Sequence, residues 1–591
     1  MTDRARATGV GQANLEFARE LVGALHAAGA ATAVICPGSR STPLAVAIAE
    51  NPGIRASVHV DERSAAFYAL GCAKASGQPV LLLCTSGTAG ANFLPAVAEA
   101  SHSRVPLVVL TADRPPELRA WGAPQTMEQR SLYAGFTRWS EEAPCPGECG
   151  TGTGYARALG RRAVEAATGD VPGPVHLNLP FREPLLPDSV ETPRSVQPAQ
   201  NTVATSPGPG GDRAGIVALG HELARVSRGV LVCGPDRWDP ELGAAVGALA
   251  TRLGWPVIAD PTSGLRAGNT LGGNVVHGAD LLLRHESATA ALGPELVVRF
   301  GGPPTSKAFT EWLTRNAAAD LWLVDAAGGF QDPQHRATRT CRIDPRQFCT
   351  LVASVIAKPV AAASSWLERW KRADLAARSA ATRAIATEPQ FLMPHLASAL
   401  WSRLPDDCTL YAANSMAIRE VDTFAGPRPA PLRVLANRGV NGIDGLVSCA
   451  VGAAAALGKP TVLWCGDLAL LHDVSGLLAG TLQQADLTIV VGNDDGGGIF
   501  EYLPAARLLP RPLFERVFAV PHGQDLCQLA RGLGWQATRT ESEAGFAAAL
   551  ADALRGGRHV LEVPVSRAAN TAFHRSLHAA VGAELEREFA A

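Results

Sequence analysis

Two acidic turns carry the first chemical signal in the chain. Asp467 closes the apolar run 461–465 in WCGD, and Asp494 follows the apolar run 487–491 in VGNDDGGG. The residues between have helical periodicity, so the stretch reads as strand, turn, helix, strand, turn. In a right-handed βαβ unit both strands point the same way, and their turns meet at the carboxyl edge where open α/β sheets bind ligands. Asp467 and Asp494 are then placed to share a divalent cation, and Gly496 with the glycines after it lets backbone approach a phosphate closely. Mg²⁺ suits such a site, because it takes a few carboxylate or carbonyl oxygens and fills its octahedron with phosphate and water. Either turn alone is ordinary turn chemistry; the pair at this spacing is far more specific. Glu62 is a second signal, directly after the strand-like run 55–60 and at the start of a small-residue helix. An acid there also fits the positive end of a helix dipole, so residue type alone does not separate structure from chemistry.

The elements that must position these residues alternate strand and helix along the chain. In the first third, 15–28 reads as an amphipathic helix and 32–35 as a strand ending in CPGSRSTP. Strand 55–60, helix 64–75, strand 80–84 with the turn TSGTAGAN, and strand 107–110 follow. A second block has strand runs at 231–233, 257–259, 296–298 and 321–324, and a third contains the acidic turns. The expected fold class is α/β, with three doubly wound parallel-sheet domains. The domains are placed at 1–188, 213–360 and 391–591. A linker at 189–212, rich in Pro, Gly, Ser and Thr, and a charged helical connector at 361–390 separate them.

Composition narrows the function. With 591 residues, 47% hydrophobic and 18% charged, the chain suits a soluble globular protein long enough for several domains. A net charge of −2 argues against nucleic acid or an anionic membrane as the main partner. The N-terminus shows no apolar signal core and no stretch reaches the length of a membrane span. The twelve cysteines are scattered, many in apolar strands, as expected of buried thiols in a reducing compartment, so the cytoplasm is the expected location. Cys145 and Cys149 in CPGEC lack a second pair at zinc spacing and read as a loop.

The GD and N-D-x-G turns resemble the metal–diphosphate motif of thiamine-diphosphate-dependent enzymes. That resemblance implies pyrimidine-binding, central and diphosphate-binding domains, thiamine diphosphate with Mg²⁺ or Mn²⁺, and a metal held by Asp467, Asp494 and Gly496. It gives Glu62 the role of the carboxylate beside N1′ of the aminopyrimidine. It also implies a homodimer or dimer of dimers with active sites at the subunit interface. CPGSRSTPLA, HVDER, TSGTAGAN, LTADRPPEL, NSMAIR, NRGVNGIDG, GDLALLHD and NDDGGGIF run in the order found in one family of the menaquinone pathway. The chain resembles the 2-succinyl-5-enolpyruvyl-6-hydroxy-3-cyclohexene-1-carboxylate (SEPHCHC) synthase family from about residue 14 to 575. The resemblance implies decarboxylation of 2-oxoglutarate, conjugate addition of the succinyl carbanion to isochorismate, and release of CO₂.

Both of those substrates carry two carboxylates, which planar arginine forks hold well. By resemblance, Arg40, Arg419 and Arg438 are the substrate cations, with Lys307 from the central domain. Ser415 and Gln125 orient substrate or intermediate. Ile443 supports the bent cofactor, Leu468 and Ala469 belong to the diphosphate-binding turn, and Ile499 and Phe500, with Leu503, form an apolar wall. Ala469 replaces the usual hydroxyl residue, and Asp494 stands where Asn is common. Two alternatives share these residues. One is another thiamine-dependent 2-oxo acid decarboxylase or acetohydroxyacid-type synthase, and the other a non-catalytic homologue. The second would have lost Glu62 or Asp467, and both are present.

Overall fold

The computed structural model describes residues 3–147, 152–190, 213–237, 239–329, 331–356 and 364–590. The expected linker and Cys149 lie outside the described residues, apart from the linker's first two positions; Cys145 is buried. Among the described residues no helix is long and apolar enough to cross a membrane.

Three parallel sheets organise the chain. The first contains β1 (Thr32–Ile35), β2 (Arg55–Val58), β3 (Val80–Cys84), β4 (Leu107–Asp113), β5 (Trp139–Glu142) and β6 (Val175–Pro180), in the order β2-β1-β3-β4-β6-β5. The second has β7 (Gly229–Cys233), β8 (Val257–Ala259), β9 (Leu296–Phe300), β10 (Asp320–Val324) and β11 (Arg339–Cys341), in the order β11-β10-β9-β7-β8. The third has β12 (Thr409–Ala412), β13 (Arg433–Leu435), β14 (Thr461–Gly466), β15 (Leu487–Asn493), β16 (Gln536–Arg539) and β17 (Arg558–Pro564), in the order β13-β12-β14-β15-β17-β16. The first and third sheets therefore share one topology. Each changes direction between its first and third strands in sequence, β1 and β3 in one, β12 and β14 in the other. Such switch points leave a crevice at the strands' carboxyl ends.

The central strands carry long apolar runs because helices cover both faces. β3 and β4 are buried along their whole length. The helix Glu62–Ser76 begins at Asp61, whose side chain accepts from the N–H groups of Arg63 and Ser64, and ends at Gly77, in left-handed backbone with φ +70°. That helix is buried on nearly every side because it lies between its own sheet and the helix Leu446–Leu457 of the third domain. The two backbones touch: a Cβ on Gly71 would fall 2.0 Å from the Cys449 carbonyl oxygen, and one on Gly452 would fall 2.1 Å from that of Tyr68. The helix Ser364–Thr387 joins the second and third sheets and packs on the C-terminal helix Arg567–Ala590.

Candidate active site

The two acidic turns meet. Gly466 pairs with Gly492 across β14 and β15, so Asp467 and Asp494 leave adjacent strands at one edge. Asp467 is buried at the start of the short helix Asp467–His472. Its Oδ1 accepts from the Leu468 N–H at 2.8 Å and its Oδ2 from the Gly496 N–H at 2.7 Å. His522 Nε2 lies 2.9 Å from the same Oδ2. Burial and then the charge of Asp467 push the Asp494 carboxyl up to about 7, with Arg567 opposing. Burial likewise raises Asp467. Gly496 is required where it stands: its φ is +134°, and a Cβ there would fall 2.0 Å from the Ala519 carbonyl oxygen. Burial raises both carboxyls and the charge of Asp467 raises Asp494 further, a donor set that a divalent cation would relieve, so the residues present fit a Mg²⁺-like ion.

A second group gathers at the carboxyl end of β12. Ser415 opens the helix Met416–Phe424 with φ +67° and ψ −126°, a costly conformation for a residue with a side chain and one that clusters at functional sites. Arg419 donates to the Ser415 carbonyl, and Arg438 Nη1 donates to Asn414 Oδ1 at 2.9 Å. Burial lowers the pKa of both guanidiniums, and the charge of Arg419 adds to the depression at Arg438. Neighbouring, partly desolvated cations favour an anionic ligand. Ile443 is half-buried against the core in the loop that follows Arg438. Leu468 is half-buried and Ala469 buried just after Asp467. Ile499 and Phe500 lie half-buried in the 3-10 helix Gly498–Tyr502, and Leu503, 44% exposed, follows.

Glu62 belongs to a different cleft, of about 470 Å³, at the switch point of the first sheet. Pro37, Gly38, the turn 85–89 and the loop 125–127 line it. Gln125 is exposed on that wall with φ +53°. Arg40 is buried nearby, donating to the Phe181 carbonyl at 2.9 Å and to Glu183 Oε1 at 2.7 Å. Polar as well as apolar groups line the cleft. The TSGT turn after β3 puts hydroxyls beside the carboxylate, and among the described residues every lining group comes from the first domain. Lys307 joins neither group: its side chain is 83% exposed on the second domain and pairs with Glu311 at 3.3 Å.

Three residues of this neighbourhood escaped sequence reasoning. His522 reaches Asp467 from a loop with no motif of its own. Arg567 donates to the carbonyls of Asp494 and Asp495 from the start of the last helix. Arg114, within ADRPPEL, contacts Ser86 Oγ at 3.2 Å on the Glu62 side and was the one findable from its motif. A larger cavity, about 540 Å³, lies between the helices Ser364–Thr387 and Met393–Arg403. Neither Glu62 nor the acidic pair lines it, so size does not make it the catalytic candidate.

Comparison with known proteins matches three profiles in succession along the chain. The profile described as "Thiamine pyrophosphate enzyme, N-terminal TPP binding domain" matches residues 15–132. "Middle domain of thiamine pyrophosphate" matches 220–412, and "Thiamine pyrophosphate enzyme, C-terminal TPP binding domain" matches 423–563. A 2-succinyl-5-enolpyruvyl-6-hydroxy-3-cyclohexene-1-carboxylate synthase of Chloroflexus aurantiacus is 43% identical over 94% of this chain and 94% of its own length. The enzymes of that name from Geobacillus kaustophilus and Myxococcus xanthus are 44% and 42% identical, each over 97% of this chain and 98% of its own length. Among solved structures, the thiamine diphosphate-dependent 4-hydroxybenzoylformate decarboxylase of Rhodococcus jostii RHA1 superposes with a TM-score of 0.66. It covers 93% of this chain and 99% of its own, and at 17% identity that likeness speaks to the fold alone.

Proposed function

Because the chain belongs to the SEPHCHC synthase family of thiamine-diphosphate-dependent enzymes, we propose that it catalyses the reaction its relatives are named for, a step of menaquinone biosynthesis. In that reaction 2-oxoglutarate loses CO₂ and the succinyl unit adds to isochorismate by conjugate addition. The observation that carries this reading is the gathering of Ser415, Arg419 and Arg438 at the end of β12, in the sheet that also holds the acidic pair. Both substrates are dicarboxylates, and paired guanidiniums bind carboxylates through two hydrogen bonds each.

Bound thiamine diphosphate supplies an electron sink for losing CO₂ and joining the remainder to the acceptor. Asp467, Asp494 and Gly496 would hold the Mg²⁺ or Mn²⁺ that neutralises its diphosphate. Ile443 would support the bent cofactor and Leu468 and Ala469 would lie at its diphosphate, while Ile499, Phe500 and Leu503 would form an apolar wall that disfavours a charged carboxylate and so favours its departure. Glu62 would hold and return a proton at the pyrimidine nitrogen N1′ through its carboxylate. Arg419 and Arg438 would fix substrate carboxylates, Ser415 and Gln125 would orient the reacting part, and Arg40 would add charge from the Glu62 side. Since the described residues that line the Glu62 cleft of one chain all belong to the first domain, its other half would come from the third domain of a second copy. This reading makes the protein a homodimer or a dimer of dimers, with Lys307 as a further cation from the second domain.

The test is to incubate the pure protein with thiamine diphosphate, Mg²⁺, 2-oxoglutarate and isochorismate, and to identify the product by mass. A product equal to both substrates less CO₂, absent when any component is omitted, is expected. CO₂ release with isochorismate left intact would overturn the acceptor assignment, and no release would overturn the whole reading.

A further inference from the structure

The loop that bears Arg438 and Ile443 is gripped from outside its own domain. Glu99, on the first-domain helix Leu94–His102, is only 2% exposed. Its Oε1 accepts from the Gly439 N–H at 2.9 Å and its Oε2 from the Val440 N–H at 2.7 Å. Ser103 Oγ also donates to Oε1, and Lys74 Nζ lies 3.4 Å away. Lys74 itself donates to the Ala436 carbonyl at 2.7 Å and to Asn437 Oδ1 at 3.1 Å. Burial alone would raise the Glu99 carboxyl, but Lys74, Ser103 and the two backbone N–H groups hold it below the usual carboxylate range. The fit leaves no slack: a Cβ on Gly439 would fall 2.8 Å from the Glu99 carbonyl oxygen and from Ser103 Oγ. On its other side the loop is held by Asn414 Nδ2, which donates to the carbonyls of Asn437 and Gly442 at 2.7 Å each.

A pair that merely fixed the domain seam would satisfy groups in helices. Here both carboxylate oxygens are spent on the two residues directly after Arg438, and the ammonium on the two directly before it. We propose that Glu99 and Lys74 are positioning residues for Arg438, setting the backbone from which its guanidinium meets a substrate carboxylate. The first domain thereby tunes the dicarboxylate site of the third domain in the same chain. Lys74 lies near the end of the helix that Glu62 begins, so one helix serves both halves of the machinery. This proposal rests on the reading of Arg438 as a carboxylate-binding group.

The test uses the full-length enzyme loaded with thiamine diphosphate and Mg²⁺ for kinetics, and the same protein without substrate for hydrogen exchange. Glu99→Ala should raise the KM for the substrate that Arg438→Ala affects by about tenfold or more, the loss of charge-assisted hydrogen bonds. It should speed exchange in a peptide spanning 436–445 while leaving β14 and β15 protected. On the Arg438→Ala background the same change should add less than about a twofold further loss, because residues acting through one group do not add. Glu99→Gln, which keeps the shape and an acceptor but loses the charge, should show an intermediate effect, and it serves if Glu99→Ala does not fold. Losses that multiply, or an unchanged KM with the loop still protected, would overturn the proposal. If Arg438→Ala alone leaves both KM values unchanged, the assignment of Arg438 has failed and the positioning role falls with it. Hydrogen exchange then shows separately whether Glu99 holds the loop.

Discussion

At the scale of single residues, the site depends on where the fold holds its carboxylates. Glu62 reaches its cleft from the first turn of a helix whose other residues are nearly all buried, so its place is fixed while its carboxylate stays accessible. Glu62→Gln keeps that shape and loses only proton exchange. Turnover should fall by about a hundredfold or more, while calorimetry should still find thiamine diphosphate bound with Mg²⁺. Asp473 is a buried acid of another kind. It accepts from the Ser448 N–H at 2.7 Å and the Ser448 hydroxyl at 3.0 Å. Burial pushes its carboxyl up from the ordinary 3.8 to about 7. A carboxyl raised in the fold binds its proton more tightly folded than unfolded, so stability falls as pH rises from about 4 to 7 and is level above. The cost is on the order of 4 kcal/mol at most. Asp473→Asn should therefore melt higher relative to wild type at pH 8 than at pH 5; an equal difference at both would contradict this.

At the scale of elements, the seam between the helices Glu62–Ser76 and Leu446–Leu457 joins the two domains of one chain. Its closeness depends on Gly71 and Gly452. Gly452→Val would drive a side chain into the backbone of the facing helix, an overpacking that costs about 1–3 kcal/mol. A lower melting temperature is expected, together with weaker retention of cofactor, both readable by calorimetry. The same scale explains what the sequence disclosed. The central strands β3, β14 and β15 are buried along nearly their whole length, so their apolar runs are visible, and the motif turns at their ends come with them. The edge strands β5 and β16 are short and largely polar, because one side of each faces solvent, and they leave no such run. His522 and Glu99 were invisible for a different reason. Their partners are set by how loops and domains pack, which no local spacing encodes.

At the scale of the whole molecule, two sheets of one topology present two unlike half-sites. One carries Glu62 and Gln125, the other Ser415, Arg419, Arg438 and the acidic pair. Within one chain the Glu62 cleft receives no wall from the third domain among the described residues, while Val58 and Val60, on the approach to Glu62, are exposed, as is Leu482, whose neighbour Gln483 donates to the Val58 carbonyl. An apolar surface beside an incomplete site is what a second copy would cover. The measurement that tests this most directly mixes two inactive variants, Glu62→Gln and Asp467→Ala, with subunits allowed to exchange, and follows the product of 2-oxoglutarate and isochorismate. If each active site takes Glu62 from one chain and Asp467 from the other, every mixed dimer regains one intact site. Activity should then return to about a quarter of wild type, since half the dimers are mixed and each has one working site in two. No recovery in a mixture shown to contain mixed dimers would contradict the account.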